Sequence, residues 1–360
     1  MSAEITCSAF EETVRAAVLQ RSARYTDSHS LTLRWEGDDT GASQDAGRFQ
    51  NLLALFNLPP ATELTINAND NTPGWTVQST FTQILTHARS TRGRALVMVH
   101  YAGHGFVNKD SVFYFSEGPG GRHFNAELFL TYQAGPDQYY LHDSTNVDVL
   151  FIFDCCYGFT ACRAAEVIPR IVEFIAATDS SSPLAFSPPR ITVTAKLISE
   201  IRRRQREGHR YVEFADVVAT LRANESAVKK PTHYLKMGAA SICLPFSGLL
   251  AVDPSSLRPT LRAVFSVHIA DNMTQHDVDQ FVAWIRGLPE YAAITLEGIY
   301  PTGSQLLILS SNWSVWSKIA GMRGYKLIAE TRGGNTLHTR QLPAPPSPLK
   351  ENIPFGKQFR

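Results

Sequence analysis

Two short stretches of this chain hold side chains that could act on a substrate together. Tyr101-Ala102-Gly103-His104-Gly105 sets an imidazole between two glycines, and Asp154-Cys155-Cys156-Tyr157-Gly158 sets an acid and two thiols before a third. A thiol is a good nucleophile once partly ionised, and a nearby imidazole can favour the thiolate and later protonate a leaving amine. Glycines beside such groups let the backbone turn sharply and let a substrate chain pass close by. The pairing of types suits nucleophilic attack by one of these thiols with proton transfer through His104, provided the fold brings the two stretches together.

The elements that must do so are legible around them. Val147 to Asp154 is an unbroken run of mostly β-branched and aromatic residues, the pattern of a strand buried on both faces, and Arg94 to His100 is a second strongly apolar strand. In open α/β sheets ligands bind just outside the carboxyl ends of the strands, where both stretches fall. Upstream, Ser30 to Trp35 reads as a strand, Glu36 to Ala42 as a loop containing Asp38 and Asp39, and Asp45 onward as a helix with Phe49, Leu52, Leu53 and Phe56 on one face. Glu63 to Asn67 reads as a strand, and Phe81, Ile84, Leu85 and Ala88 mark another helix. This alternation predicts a mostly parallel sheet sandwiched by helices.

The two motifs, 52 positions apart between His104 and Cys156, resemble the catalytic motifs of the caspase and metacaspase family of cysteine peptidases, whose histidine precedes the cysteine by about 50 residues. The resemblance implies a caspase-like α/β fold, a His104–Cys156 catalytic dyad, and an oxyanion hole formed by the backbone N–H groups of Gly105 and Cys156. Cys156 is preferred over Cys155 because it stands two after Asp154 and two before Gly158. Tyr157 departs from the family, whose members tend to carry arginine or histidine there. Metacaspases have an aspartate two before the nucleophile and accept arginine or lysine, so Asp154 is implied as a floor of the S1 pocket. A second pocket position lies six residues before the Asp-Ala that starts the next helix. Counting back from Asp45-Ala46 gives Asp39. Two carboxylates there would attract a cationic side chain and repel an acidic one. Cys155, adjacent on the strand, is expected to point into the core.

The remaining chain suggests a strand at Val172 to Thr178, a loop from Asp179 to Arg190, helices at Ile191 to Arg204 and Val212 to Leu221, and a last strand near Ser241 to Leu244. The short connection after Gly158 predicts a single-chain enzyme, with Arg163 and Arg170 as its candidates for self-cleavage. From Ala263 to Thr331 the order β-α-β-β-α-β predicts a small α+β ferredoxin-like domain, a fold that specifies no function by itself. The expected organisation is an N-terminal helical extension (1–29), a peptidase domain (30–246), a linker (247–260), the ferredoxin-like domain (261–332) and a disordered proline-rich tail (333–360).

A formal net charge of +1 gives no field for nucleic acid, and no segment approaches the roughly 18 apolar residues of a membrane span. The arginines at 202, 203, 204 and 206 read as the solvated face of a helix. The N-terminus lacks the basic start and apolar core of a signal peptide, so a cytoplasmic protein with five free thiols is expected. His100 and His104 would lie about 13 Å apart on an extended strand, too far for one ion, and no metal site is assigned. Many metacaspases need calcium, but the aspartates form no loop of recognisable ligand spacing, so no cofactor is assigned and calcium activation stays open. The partner is a protein or peptide substrate, and the oligomeric state is unspecified. The rival reading is a catalytically silent caspase-like scaffold that binds protein partners.

Overall fold

A computed structural model describes residues 4–18, 25–135, 141, 144–158, 170–179, 192–224, 230–246, 261–301 and 305–332. The chain begins with helix α1 (Cys7–Val18) and continues through β1 (Tyr25–Trp35), α2 (Ala42–Ala54), β2 (Thr62–Ile66), α3 (Pro73–Arg89) and β3 (Arg94–Ala102). Three short strands follow, β4 (His104–Val107), β5 (Phe113–Ser116) and β6 (His123–Asn125), then the single-turn α4 (Ala126–Phe129). Next come β7 (Val147–Asp154), β8 (Val172–Ala176), α5 (Val193–Arg206), β9 (Tyr211–Glu213), α6 (Phe214–Asn224), β10 (Thr232–Met237) and β11 (Cys243–Pro245).

Six strands form the main sheet in the order β10-β8-β7-β3-β1-β2, parallel throughout except for the antiparallel edge strand β10. Every residue of β7 is buried, as its apolar run predicts. Side chains alternate across it because strand residues have a period of two. Val149, Phe151 and Phe153 pack with α3 and with the small antiparallel sheet β4-β5-β6, while Leu150 and Ile152 pack with α2 and α5. The mostly parallel sheet with helices on both faces is therefore the expected one. The hairpin sheet β4-β5-β6 was not legible, since its strands are only three or four residues long. The last strand of the main sheet is β10 rather than the segment near Ser241; the latter supplies β11, which pairs with β9.

The rest comprises β12 (Arg262–Ile269), α7 (Gln275–Arg286), β13 (Thr295–Pro301), β14 (Gln305–Asn312), α8 (Trp313–Ile319) and β15 (Tyr325–Thr331). Their antiparallel order β13-β14-β12-β15 is that of a ferredoxin-like split unit, and Thr274 with Asp277 closes the capping box at the start of α7. This unit is not an appendage, because its buried residues join one continuous apolar core with those of α2, α5 and α6. Lys318 pairs with Glu213, His233 Nδ1 lies 2.8 Å from Ser317 Oγ, and Arg222 lies over the Trp313 ring. Helix α1, read from sequence as an extension, belongs to the same core. Its Phe10 packs against Phe281, Trp284 and Tyr325, and Ile5 bridges Ile269. The expected linker at 247–260 and tail at 333–360 lie outside the described residues.

Two expectations for arginines are overturned. Arg204 is not on a solvated face: it is fully buried and bound to Glu200, the Asp216 carbonyl and Thr220. Arg170 is also buried, donating to the Gly135 carbonyl, with its pKa lowered to about 10 by desolvation, and so offers no exposed bond for self-cleavage. Arg163 lies outside the described residues.

Candidate active site

The site is built by strand register. β3 and β7 pair in parallel with Ala102 opposite Asp154, so His104 and Cys156 each follow by two residues a pair at the same level of the sheet. The 52-residue spacing is thus the register of two neighbouring strands. At Gly103 the chain adopts φ +142°, a conformation side chains rarely take, and leaves the sheet to start β4. A Cβ there would also crowd the Tyr101 hydroxyl (2.9 Å) and an Asp38 oxygen (3.2 Å). That hydroxyl donates to the His104 carbonyl at 2.7 Å, fixing the backbone that carries the imidazole. Tyr101 belongs to the histidine motif, yet only the folded geometry gives it this task.

On the other strand, Cys155 turns into the core among Val149, Phe151 and Phe153, as alternation predicts. Burial pushes its thiol well above the ordinary range, with the charges of Cys156 and Asp154 adding to the effect, so it is a poor nucleophile. Cys156 is only partly buried. Tyr157 after it has φ +59°, the left-handed region that a bulky residue enters at a cost of about 1–3 kcal/mol. Such a turn lifts the thiol-bearing residue off the strand end. The histidine loop and the cysteine turn touch: a Cβ on Gly105 would lie 2.5 Å from the Cys156 carbonyl oxygen and 3.1 Å from the Cys155 sulfur. Only glycine fits at 105, and that absence of a side chain lets the two halves meet.

Asp39 reaches the same place from the loop after β1. Its Oδ1 lies 2.6 Å from His104 Nε2, on a carboxylate that is 74% exposed beside a ring that is 26% exposed. The hydrogen bond from His104, and then its charge, hold the Asp39 carboxyl below the usual range. An ionised carboxylate only accepts, so Nε2 carries the hydrogen and Nδ1 is left to exchange a proton. Asp38 sets the loop instead: its carboxylate accepts from the Thr40 and Ala42 backbone N–H groups and from the Thr40 hydroxyl. Sequence reasoning named Asp39 as a pocket residue; its observed partner is the imidazole.

Asp154, implied by the resemblance as a floor of the S1 pocket, lies inside the protein. It is fully buried on the α5 side of β7, where its carboxylate accepts from the Val193 N–H at 2.5 Å and the Thr194 N–H at 3.2 Å and meets His100 Nε2 at 3.3 Å. It therefore caps the N-terminus of α5, taking up N–H groups that have no partner within the helix. Period two puts Leu150, Ile152 and Asp154 on the face of β7 that α2 and α5 cover. Asp45, also buried, holds the same helix start by accepting from the Thr192 hydroxyl at 3.0 Å while pairing with Arg48 at 2.5 Å. His100 is locked between Asp154 and Thr32 and stacked on Phe49. No sequence signal marks these roles, because their partners lie about 40 to 150 positions away.

No family model matches the chain, and no curated protein sequence matches it. Among solved structures it is similar to caspase-1 from Spodoptera frugiperda, with a TM-score of 0.41 and 14% sequence identity over 62% of this chain and 90% of that one. No helix among the described residues is long and apolar enough to cross a membrane.

Proposed function

We propose that the chain is a cysteine endopeptidase of metacaspase type that cuts after Arg or Lys, with Cys156 as nucleophile and His104 as acid and base. The observation that carries this reading is the register of Ala102 with Asp154, which delivers the histidine and cysteine motifs to one end of the sheet, with Gly105 against the Cys156 carbonyl. The Cys156 thiolate attacks the scissile carbonyl carbon, and the electron pair moves to the carbonyl oxygen, which the Gly105 and Cys156 N–H groups stabilise. Collapse of this intermediate expels the amine, which takes its proton from His104 and leaves a thioester on Cys156. Water then gives a proton to His104, attacks the thioester, and releases the acid and the thiol. Asp39 keeps the His104 ring in the tautomer this sequence needs, a positioning task rather than a pocket task.

The preference for a cationic side chain rests on charge. Asp38 and Asp39 stand beside His104, one oxygen of each within 4.8 Å of one of its ring nitrogens, and make the mouth of the site acidic. The test is to incubate the protein with Arg-ended and Asp-ended fluorogenic peptides, with and without calcium, beside Cys156→Ala. Faster turnover of the Arg-ended peptide by the parent alone is expected. Equal background in parent and variant under all conditions would overturn the enzyme reading in favour of a silent scaffold.

A further inference from the structure

A second group of potential ligands lies at the opposite end of the sheet. Asp27 and His29 stand two apart on β1, so they share the face that α3 covers, and His87 comes from the last turn of that helix. One ligand atom from each residue fits within 4.8 Å of the others. His29 Nε2 lies 3.1 Å from Asp27 Oδ2, and the His29 and His87 rings meet edge to face at 5.0 Å between centroids. The carboxylate is held in place by neighbours: the Ser28 N–H donates to Oδ1 at 2.8 Å and the Thr91 hydroxyl to Oδ2 at 3.0 Å.

We propose that Asp27, His29 and His87 form a binding site for a divalent transition metal of the zinc class. Two imidazoles and one carboxylate suit zinc, cobalt, nickel and copper, whereas calcium and magnesium prefer all-oxygen sets. Three protein ligands leave a fourth position for water. Hydrogen bonds that orient a ligating carboxylate are the usual second layer of such a site, here Thr91 and Ser28. The cation would also sit at the C-terminal end of α3, where the helix dipole favours positive charge. Bound there, it ties the end of α3 to the start of β1, far along the strands from His104 and Cys156.

The test is binding, not peptidase activity, so it stands whatever becomes of the proposed function. Full-length protein carrying Cys156→Ala is titrated with Zn²⁺ by calorimetry and with Co²⁺ by visible absorption, beside the same protein with His87→Gln, with His29→Gln, or with Asp39→Asn. One metal equivalent is expected in the parent and in Asp39→Asn, with at least a tenfold loss of affinity in either histidine variant. His87 is exposed, so its variant tests the site even if His29→Gln fails to fold. Absence of zinc binding, equal affinity in His87→Gln, or loss confined to Asp39→Asn would overturn the proposal; the last outcome would place the metal beside His104 instead.

Discussion

Two histidine–carboxylate pairs stand on either side of Gly103, made of the same groups and put to opposite uses. His100 and Asp154 are both 0% exposed, 3.3 Å apart, and every polar atom of the pair has a partner inside the protein. His104 and Asp39 lie 2.6 Å apart at the surface, and the ring keeps Nδ1 for something else. What separates them is the strand break at Gly103. Before it, the imidazole belongs to the sheet and serves the fold; after it, the imidazole leaves the sheet and can serve a reaction. The difference shows that solvent access and spare bonding capacity, rather than residue type, mark the pair that can act.

The contrast can be broken or sharpened by substitution. Cys156→Ala should reduce peptide hydrolysis to background, a fall of roughly ten-thousandfold or more, with unchanged thermal unfolding. Gly105→Ala should cost about a hundredfold in kcat/KM, since the new methyl would force the histidine loop away from the Cys156 turn. Asp154→Asn should act on stability: leaving buried groups at the start of α5 poorly matched costs about 1–3 kcal/mol, read as a lower denaturation midpoint. A loss of activity in Asp154→Asn with unchanged unfolding would contradict the structural role.

Asp39→Asn should do the reverse. Its carboxylate is exposed, so unfolding should not move, while activity falls roughly tenfold, the worth of one charge-assisted hydrogen bond. The sign of its pH dependence follows from the lowered carboxyl value. The pairing is complete above the ordinary 3.8 and is lost as pH falls through the lower folded value, so parent and variant should differ at neutral pH and converge only once the pH has dropped well under 3.8. The smallest effect concerns the thiols. At pH ~7.5 an alkylating agent should modify Cys156 and spare Cys155, Cys243 and Cys7, which burial pushes up, Cys7 to about 11. Mass spectrometry of the digested protein reads the outcome, and modification of Cys155 first would break the assignment.

Much of this was written in the sequence where residues act through their own strand. The apolar runs of β3 and β7, the glycines around His104, and the inward turn of Cys155 follow from period and burial. The β-α-β-β-α-β order of the last unit was legible for the same reason, through stripes such as Phe281 and Ile285 on α7. What stayed hidden depends on partners far along the chain. Asp154 caps a helix whose N–H groups come 39 and 40 residues later, and Asp39 meets an imidazole 65 residues on. A carboxylate before a thiol looks alike whether it faces substrate or α5. The parity of strand residues fixed which face it took, but only α5 said what stood there.

The packing of α1 also governs how the chain can be made. Phe10 is synthesised long before the rings that cover it, which sit at 281, 284 and 325. At roughly 5–20 residues per second, translation leaves that phenylalanine without its cover for roughly 15–60 seconds after it forms. The strands bearing His104 and Cys156 emerge well within that interval, before the shared core behind them can close. Birth order thus separates the making of the chemical groups from the sealing of the scaffold, and α1 is the clasp that shuts last.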